Sequence, residues 1–385
     1  MDGYYFRLPA VTQLTISQQA AVDETEPIAL SGGPGTGKSV VSLWRHISNY
    51  NLQNRVVSLL LTYTTTLKQY LKACCNQQSQ EASNNVGTLF RNKPVKKWDE
   101  IVVDEAQDVS NDYYQEIKNY GVISYGADDS QILYPEHCST QAQLQSMFSK
   151  NVMYVLDQNF RNTQRIMQFA KIAFPNANIP KFLLDGLSSN IGEKPVLIIA
   201  QGEKQDNAIE RIINAFIADD HNIAILVPSQ KDVRFFDAML FDKGIEHSIY
   251  YSNDSVFPKG CGEIKNIHIT TFKSAKGLEF DTVIIPNFNI LNQIPIYESR
   301  FSLLSEHEVL LMKNMIDELE KCRKAHDEIT SIQKRQDGKY YVAYRKLRCS
   351  WEDLYVACTR TRSNLYLISN CDFPQFNTVT EKDIL

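Results

Sequence analysis

Nine residues, Ser31-Gly-Gly-Pro-Gly-Thr-Gly-Lys-Ser39, fit the pattern G-x-x-x-x-G-K-[ST] through Gly32, Gly37, Lys38 and Ser39. Glycines let the backbone turn tightly and aim its N–H groups inward, where they cradle phosphate oxygens. At this spacing Lys38 reaches β- and γ-phosphates, and the Ser39 hydroxyl suits Mg²⁺. The apolar run Ile28-Ala-Leu30 precedes the loop and Val40-Val-Ser-Leu-Trp44 follows it. The loop therefore joins a buried strand to a helix, whose N-terminal dipole adds to the anion site. A glycine-rich turn with a chance lysine fits this setting poorly. The pattern implies a nucleoside triphosphate and leaves open what its energy drives.

A second set of groups is acidic. Asp99-Glu-Ile-Val-Val-Asp104-Glu105-Ala-Gln107-Asp108 is an apolar strand ending in carboxylates. In parallel α/β sheets ligands bind at that end of the strands. Asp104 is expected in the Mg²⁺ shell, and Glu105 is expected to polarise the attacking water. Gly121 to Ala127 is another buried strand, leading to Asp128-Asp129-Ser130-Gln131, and the Gln131 amide suits a sensor of the γ-phosphate. Two stretches are ambiguous alone. Gln18 reads as an ordinary helix residue, or as an amide offering donor and acceptor to an adenine edge. Tyr63-Thr64-Thr65-Thr66, after the strand Val56 to Thr62, reads as a threonine-rich turn or as a phosphate- and base-contacting strand end.

These groups need elements to position them. Strands and helical stretches alternate up to Val152–Leu156, which argues a doubly wound parallel sheet. A second series of short apolar strands follows at Pro195–Ala200, Ile223–Val227, Ile267–Thr271, Thr282–Ile285 and Leu365–Ile368. It has no second P-loop. It carries instead Thr271-Phe-Lys-Ser-Ala-Lys276-Gly277-Leu-Glu279-Phe and Tyr355-Val-Ala-Cys-Thr359-Arg360. The expected class is α/β with two domains, 1–157 and 158–385, each a mostly parallel sheet flanked by helices. An insertion at about 302–348 interrupts the second. Val309, Met312, Ile316 and Leu319 recur at helical steps there. From Lys321 to Arg348, nine Lys or Arg stand against three acids, a run that suits a solvated face or a phosphate backbone.

Composition sets bounds. The 385 residues suffice for two or three domains, and 43% hydrophobic with 22% charged residues is ordinary for a globular chain. A net charge of −5 supplies no global basic field for nucleic acid. The eight cysteines show no C-x-x-C spacing, so reduced, structural cysteines and a cytoplasmic setting are expected. No apolar run suggests a signal core or a membrane helix.

In order and spacing the motifs resemble superfamily 1 helicases of the UvrD/Rep type. The resemblance covers Gln18 to Arg360. It joins the Gln18 motif, the P-loop, Thr62-Tyr-Thr, Val86-Gly-Thr, Asp104-Glu-Ala-Gln-Asp, Asp128-Asp-Ser-Gln131, Gln158-Asn-Phe-Arg161, Ser274-Ala-Lys-Gly-Leu-Glu279-Phe and Thr359-Arg360. It implies two RecA-like domains, with ATP and Mg²⁺ bound between them. Gln18 then recognises adenine and Phe160 stacks on it. Gly32, Gly33, Pro34, Gly35, Thr36, Gly37 and Lys38 wrap the phosphates, with Ser39 and Asp104 on the metal. Glu105 is the general base. Gln131, Arg161 and Arg360 contact the γ-phosphate, while Glu279, next to Gly277, contacts the ribose. Tyr63, Thr64, Thr88, Tyr134 and Thr271 face single-stranded nucleic acid, DNA before RNA.

The chain also departs from that family. Ala127-Asp128 stands for Gly-Asp, Tyr134-Pro135-Glu136 replaces an aromatic-basic pair followed by tryptophan, and Lys273 replaces a histidine. The stretch from Thr88 to Asp104 leaves no room for the family's first large insertion, and little room remains for the second. The resemblance thus implies a compact ATP-dependent DNA helicase or translocase. Its alternative is a regulatory ATPase subunit that switches a partner such as a nuclease, in repair or anti-phage defence, without processive unwinding.

Overall fold

The computed structural model describes residues 4–51, 56–89, 94–132, 138–175, 190–218, 220–250, 264–293, 327–334, 340–346 and 350–384. The first half runs through helix α1 (Ile16–Asp23), β1 (Ile28–Ser31), α2 (Lys38–Asn51), β2 (Ser58–Thr62), α3 (Thr65–Asn76), α4 (Gln80–Asn84), β3 (Val86–Thr88), β4 (Glu100–Val103), α5 (Asn111–Ile117), β5 (Val122–Ala127), α6 (Gln141–Met147) and β6 (Val152–Val155). Its six strands lie in the order β3-β2-β4-β5-β1-β6, and every pair is parallel. The C-terminal ends of β4, β5 and β1 therefore stand side by side, carrying Asp104-Glu105, Asp128 and the P-loop. β2 and β4 are fully buried runs, Ser-Leu-Leu-Leu-Thr and Glu-Ile-Val-Val, as strands covered on both faces require. Leu59, Leu61, Ile101, Val103 and Ile123 pack against Tyr114 and Ile117 of α5 on one of those faces.

A buried ionic network fixes the start of the P-loop strand. Arg45 on α2 donates from Nε to Glu100 Oε1 at 2.6 Å, and its Nη atoms donate to Glu24 O and Glu26 O at 2.7 and 2.9 Å. Glu100 also accepts from Asn49 Nδ2 at 2.7 Å and from the Ser124 hydroxyl, whose oxygen accepts the Ile28 N–H at 2.9 Å. Helix α2, the α1–β1 turn and strands β1, β4 and β5 are thus tied at one point. Glu100→Ala leaves a buried guanidinium uncompensated. It is expected to cost about 3–5 kcal/mol of unfolding free energy in a urea titration, with Glu100→Gln costing less.

The second half comprises α7 (Gln164–Ala173), β7 (Val196–Ile199), α8 (Glu203–Phe216), β8 (Ile223–Val227), α9 (Gln230–Asp242), β9 (Ser248–Ile249), β10 (Ile267–Thr271), β11 (Phe280–Ile285), β12 (Asp327–Lys334), β13 (Tyr340–Lys346), α10 (Trp351–Cys358), β14 (Thr361–Ser369) and β15 (Glu381–Ile384). Its main sheet has the order β15-β7-β14-β11-β8-β10-β9, again all parallel. Ala208, Ile209, Ile212 and Ile213 of α8 form the apolar stripe that packs on it, with Val233, Phe236 and Leu240 of α9. The α/β class with two mostly parallel sheets flanked by helices is the observed one. Edge strand β15 went unsignalled, because Glu-Lys-Asp-Ile has no apolar pattern.

Residues 289–351 cluster as a unit of their own. Its described part lies in the basic run and is a strand pair, for which the sequence reading gave no secondary structure. β12 and β13 form an antiparallel hairpin, with Asp327 opposite Lys346 and Lys334 opposite Tyr340. Tyr340-Tyr-Val-Ala-Tyr344 and the isoleucines at 329 and 332 favour strand. The stripe from Val309 to Leu319 lies outside the described residues, as does the basic run Lys321–Arg348 apart from the two strands. No helix among the described residues is long and apolar enough to cross a membrane.

Candidate active site

The P-loop leaves β1 in a conformation that needs its glycines. Gly35 and Gly37 have φ of +74° and +89°. A Cβ on Gly35 would stand 2.4 Å from Asn159 Oδ1, and one on Gly37 2.4 Å from Gln18 Nε2. Lys38 opens α2 and bends into the loop, donating to Gly32 O and Gly33 O at 2.6 and 2.8 Å, with Asp128 Oδ2 3.5 Å away. Thr36 Oγ1 donates to Gly33 O at 2.9 Å, and Pro34 is buried in the same turn. Gln18 is buried against this loop. Its Oε1 accepts the Thr15 N–H and its Nε2 donates to Thr36 O, both at 3.0 Å. One lone pair and one N–H of that amide remain for a further partner.

The acids form one connected group. Asp104 is buried; its Oδ2 has no hydrogen-bond partner among the described residues. Burial, then the charge of Glu105, pushes the Asp104 carboxyl up, and a hydrogen bond with the Ser39 side chain opposes them. Glu105 has φ +57°, a left-handed conformation uncommon for a residue with a side chain. Its Oε2 accepts from Gln107 Nε2 at 2.6 Å and lies 3.5 Å from Lys276 Nζ. Burial works against its charged form, yet Lys276 and then Lys38 outweigh that and hold its carboxyl well below the usual range. Asp128 accepts from the Ser130 N–H and hydroxyl at 3.0 and 2.6 Å, and from the Gln131 amide.

Groups of the second half complete the site. Arg360, at the α10–β14 junction and 1% exposed, donates from Nη2 to Gln131 Oε1 at 2.8 Å and from Nε to Val356 O at 3.0 Å. Burial, then the neighbouring Arg161, pushes its pKa down. Lys276 donates to Asp108 Oδ2 at 2.6 Å and to Gln131 O, so a lysine of the second half neutralises acids of the first. Asn162 donates to Thr359 O and Thr361 O at 3.0 and 2.7 Å, and that grip holds the residues flanking Arg360. The Arg161 side chain is engaged with Glu279, Nε to Oε2 at 3.2 Å, and Arg362 Nη1 takes Glu279 Oε1 at 2.5 Å. Despite burial, Arg161 and Arg362 hold the Glu279 carboxyl down.

A cavity of about 400 Å³ is lined by part of this group; Asp104, Asp128 and Lys276 stand behind its wall residues rather than among them. Of the residues singled out in the sequence, Gln18, Gly35, Thr36, Gly37, Lys38, Ser39, Glu105, Gln131, Phe160, Arg161, Gly277, Glu279 and Arg360 line it. Phe160 is 50% exposed, and its N–H donates to Gly35 O at 2.9 Å. Gly277, with φ +82°, sits where a Cβ would meet Leu67 Cδ2 at 2.4 Å. A second cavity, of about 420 Å³, brings Tyr63 and Thr64 together with Thr271, Lys273 and Ser229. Thr64 there caps α3 through a bond from the Leu67 N–H, and Tyr63 also packs on the first sheet's core. Thr88 is buried on β3 opposite Thr62, and Tyr134 lies outside the described residues. Sequence reasoning gave no role to Arg362, Lys276 or Asp108.

Residues 258–372 match the UvrD-like helicase C-terminal domain, and residues 27–174 match the Schlafen group 3 DNA/RNA helicase domain. Helicase-domain families thus match two separate stretches of the chain, each less than half of its length. It is 25% identical over 285 residues to a protein of Acanthamoeba polyphaga mimivirus provisionally named as an ATP-dependent DNA helicase. That match covers 68% of this chain and 37% of the viral protein, so the chain spans just over a third of that relative's length. A structure of the arterivirus nonstructural protein 10 helicase with DNA aligns at a TM-score of 0.40 and 12% identity, over 96% of this chain and 67% of that one. The C-terminal domain of a possible DNA helicase from Lactobacillus plantarum aligns at 0.32 and 16%, over 58% and 98%.

Proposed function

We propose that the chain is an ATP-hydrolysing, single-strand-stimulated motor whose active site lies between RecA-like domains at 1–157 and 158–385. The observation that carries this reading is the Arg360–Gln131 hydrogen bond at 2.8 Å, at the wall of the cavity that also holds Lys38 and Glu105. ATP binds with its phosphates along the P-loop N–H groups, and Lys38 leaves the loop carbonyls for phosphate oxygens. Glu105 takes the proton of the attacking water. Arg360 and Gln131, from opposite sides, stabilise the charge that builds on the γ-phosphate, as fixed donors do best in a water-poor site. Loss of that phosphate loosens the contact between halves, and repeated closure drives movement along a strand.

Mg²⁺ fits the residues present. Asp104 Oδ2, buried and without a hydrogen-bond partner among the described residues, and the Ser39 hydroxyl, which bonds the Asp104 carboxyl, make an oxygen donor set of the kind this ion prefers. Ser39 and Asp104 are the residues that would hold it, and bound there it would neutralise phosphate charge.

The strand is assigned to the cavity of Tyr63, Thr64 and Thr271, with single-stranded DNA as the ligand. ATP turnover is expected to rise severalfold with single-stranded DNA, and less with duplex DNA or RNA. Tyr63→Ala should remove most of the stimulation and keep the basal rate, because base–aromatic stacking is worth about 1–3 kcal/mol per base. Turnover that no nucleic acid changes would sink the motor reading.

A further inference from the structure

The start of the chain is held by both halves. The Tyr4 N–H donates to Ile264 O at 2.8 Å, the Tyr5 N–H to Asn222 Oδ1 at 2.9 Å, and Asn222 Nδ2 returns a bond to Tyr5 O at 2.9 Å. Arg7 pairs with Asp281 and donates to Asp220 O at 2.7 Å. All of these partners belong to the second half. From the first half, Tyr70 Oη donates to Arg7 O at 3.3 Å and Trp44 Nε1 to Pro9 O at 2.9 Å. Residues 4–9 are therefore a strap across the two halves.

The strap also walls the nucleotide cavity, where Phe6, Arg7, Leu8 and Pro9 face the P-loop residues together with Tyr70. The lining falls into two chemistries. Lys38, Glu105, Gln131 and Arg360 are ionic or amide groups linked through Asp128 and Lys276. The other group is aromatic. The Phe6 ring lies 5.7 Å from Tyr70 and 5.1 Å from Tyr4, and Tyr4 meets Phe280 edge-on at 5.9 Å. Tyr70 comes from α3 and Phe280 from β11, so the cluster that supports Phe6 draws on both halves.

We propose that Phe6 is a base-contacting residue, presented to the cavity by this strap. The inference rests on reading the cavity as a nucleoside triphosphate site. Phosphates belong with the ionic group. The flat, largely apolar purine suits the aromatic group, whose rings are already fixed by one another and lose little freedom on binding. Phe160, half exposed, is left as a second, looser face.

The test is calorimetric titration of the full chain with ATP and with inorganic tripolyphosphate, both with magnesium, alongside a melting curve. Phe6→Ala is expected to weaken ATP about tenfold or more and to leave tripolyphosphate within about twofold. Phe6→Leu, which keeps apolar volume without the ring, should fall between and covers the case in which the alanine variant folds poorly. Unchanged ATP affinity in both variants would overturn the proposal. So would equal losses for both ligands, since that marks Phe6 as a support of the fold. A wild-type chain that binds neither ligand would instead overturn the nucleotide-site reading, and this inference with it.

Discussion

Glu105→Gln is expected to bind ATP as tightly as the wild-type chain and to hydrolyse it about 10²–10⁴-fold more slowly in a single turnover, the range that general-base catalysis spans. The amide has the volume of the carboxylate but no basic lone pair to take a proton from water. In the proposed reaction the surroundings keep Glu105 ionised, the form that can accept a proton, and hold it in place. Gln107 Nε2 fixes one oxygen at 2.6 Å, and Lys276 and Lys38 keep the group ionised against burial. The substitution removes a charge that Lys276 and Lys38 favour in the fold, so some loss of stability is expected, and a melting curve on the same preparation separates it from the loss of turnover. Lys276 keeps its 2.6 Å bond to Asp108. Hydrolysis at the wild-type rate, with ATP bound, would remove Glu105 from the mechanism.

The second large effect concerns the join between the halves. Arg360→Ala should slow single-turnover hydrolysis by about a hundredfold or more, while ATP affinity stays within about tenfold. The planar, permanently charged guanidinium suits charge spread over phosphate oxygens, and its contact with Gln131 places it at the wall of the cavity. In the proposed site most ground-state binding would come from the P-loop, which the substitution leaves alone. Arg360 also bonds Val356 O, so part of any loss could come from a loosened α10. Arg360→Lys, read with a melting curve on the same preparation, separates the two. A lysine that restores melting but not hydrolysis supports the phosphate role. Normal hydrolysis in a folded alanine variant would discard the interdomain mechanism.

By itself the sequence determined those features whose chemistry is local. The P-loop is legible because Gly35 and Gly37 meet a backbone demand that no other residue satisfies so cheaply, and Lys38 and Ser39 follow at fixed spacing. Runs such as Leu59-Leu-Leu61 and Ile101-Val-Val103 are legible as strands because a sheet covered on both faces needs continuous apolar residues. The order of the motifs then implied two such sheets. Tertiary structure alone decided the pairings that cross the chain. Lys276 meets Asp108 across 168 residues, and Arg360 meets Gln131 across 229. Glu279, expected at a ribose, holds Arg161 and Arg362 as well, and residues 4–9 strap the halves beside the cavity. No local pattern encodes these. A charged or aromatic side chain carries no mark of its partner until the packing of sheets and helices brings the two together and takes both out of water.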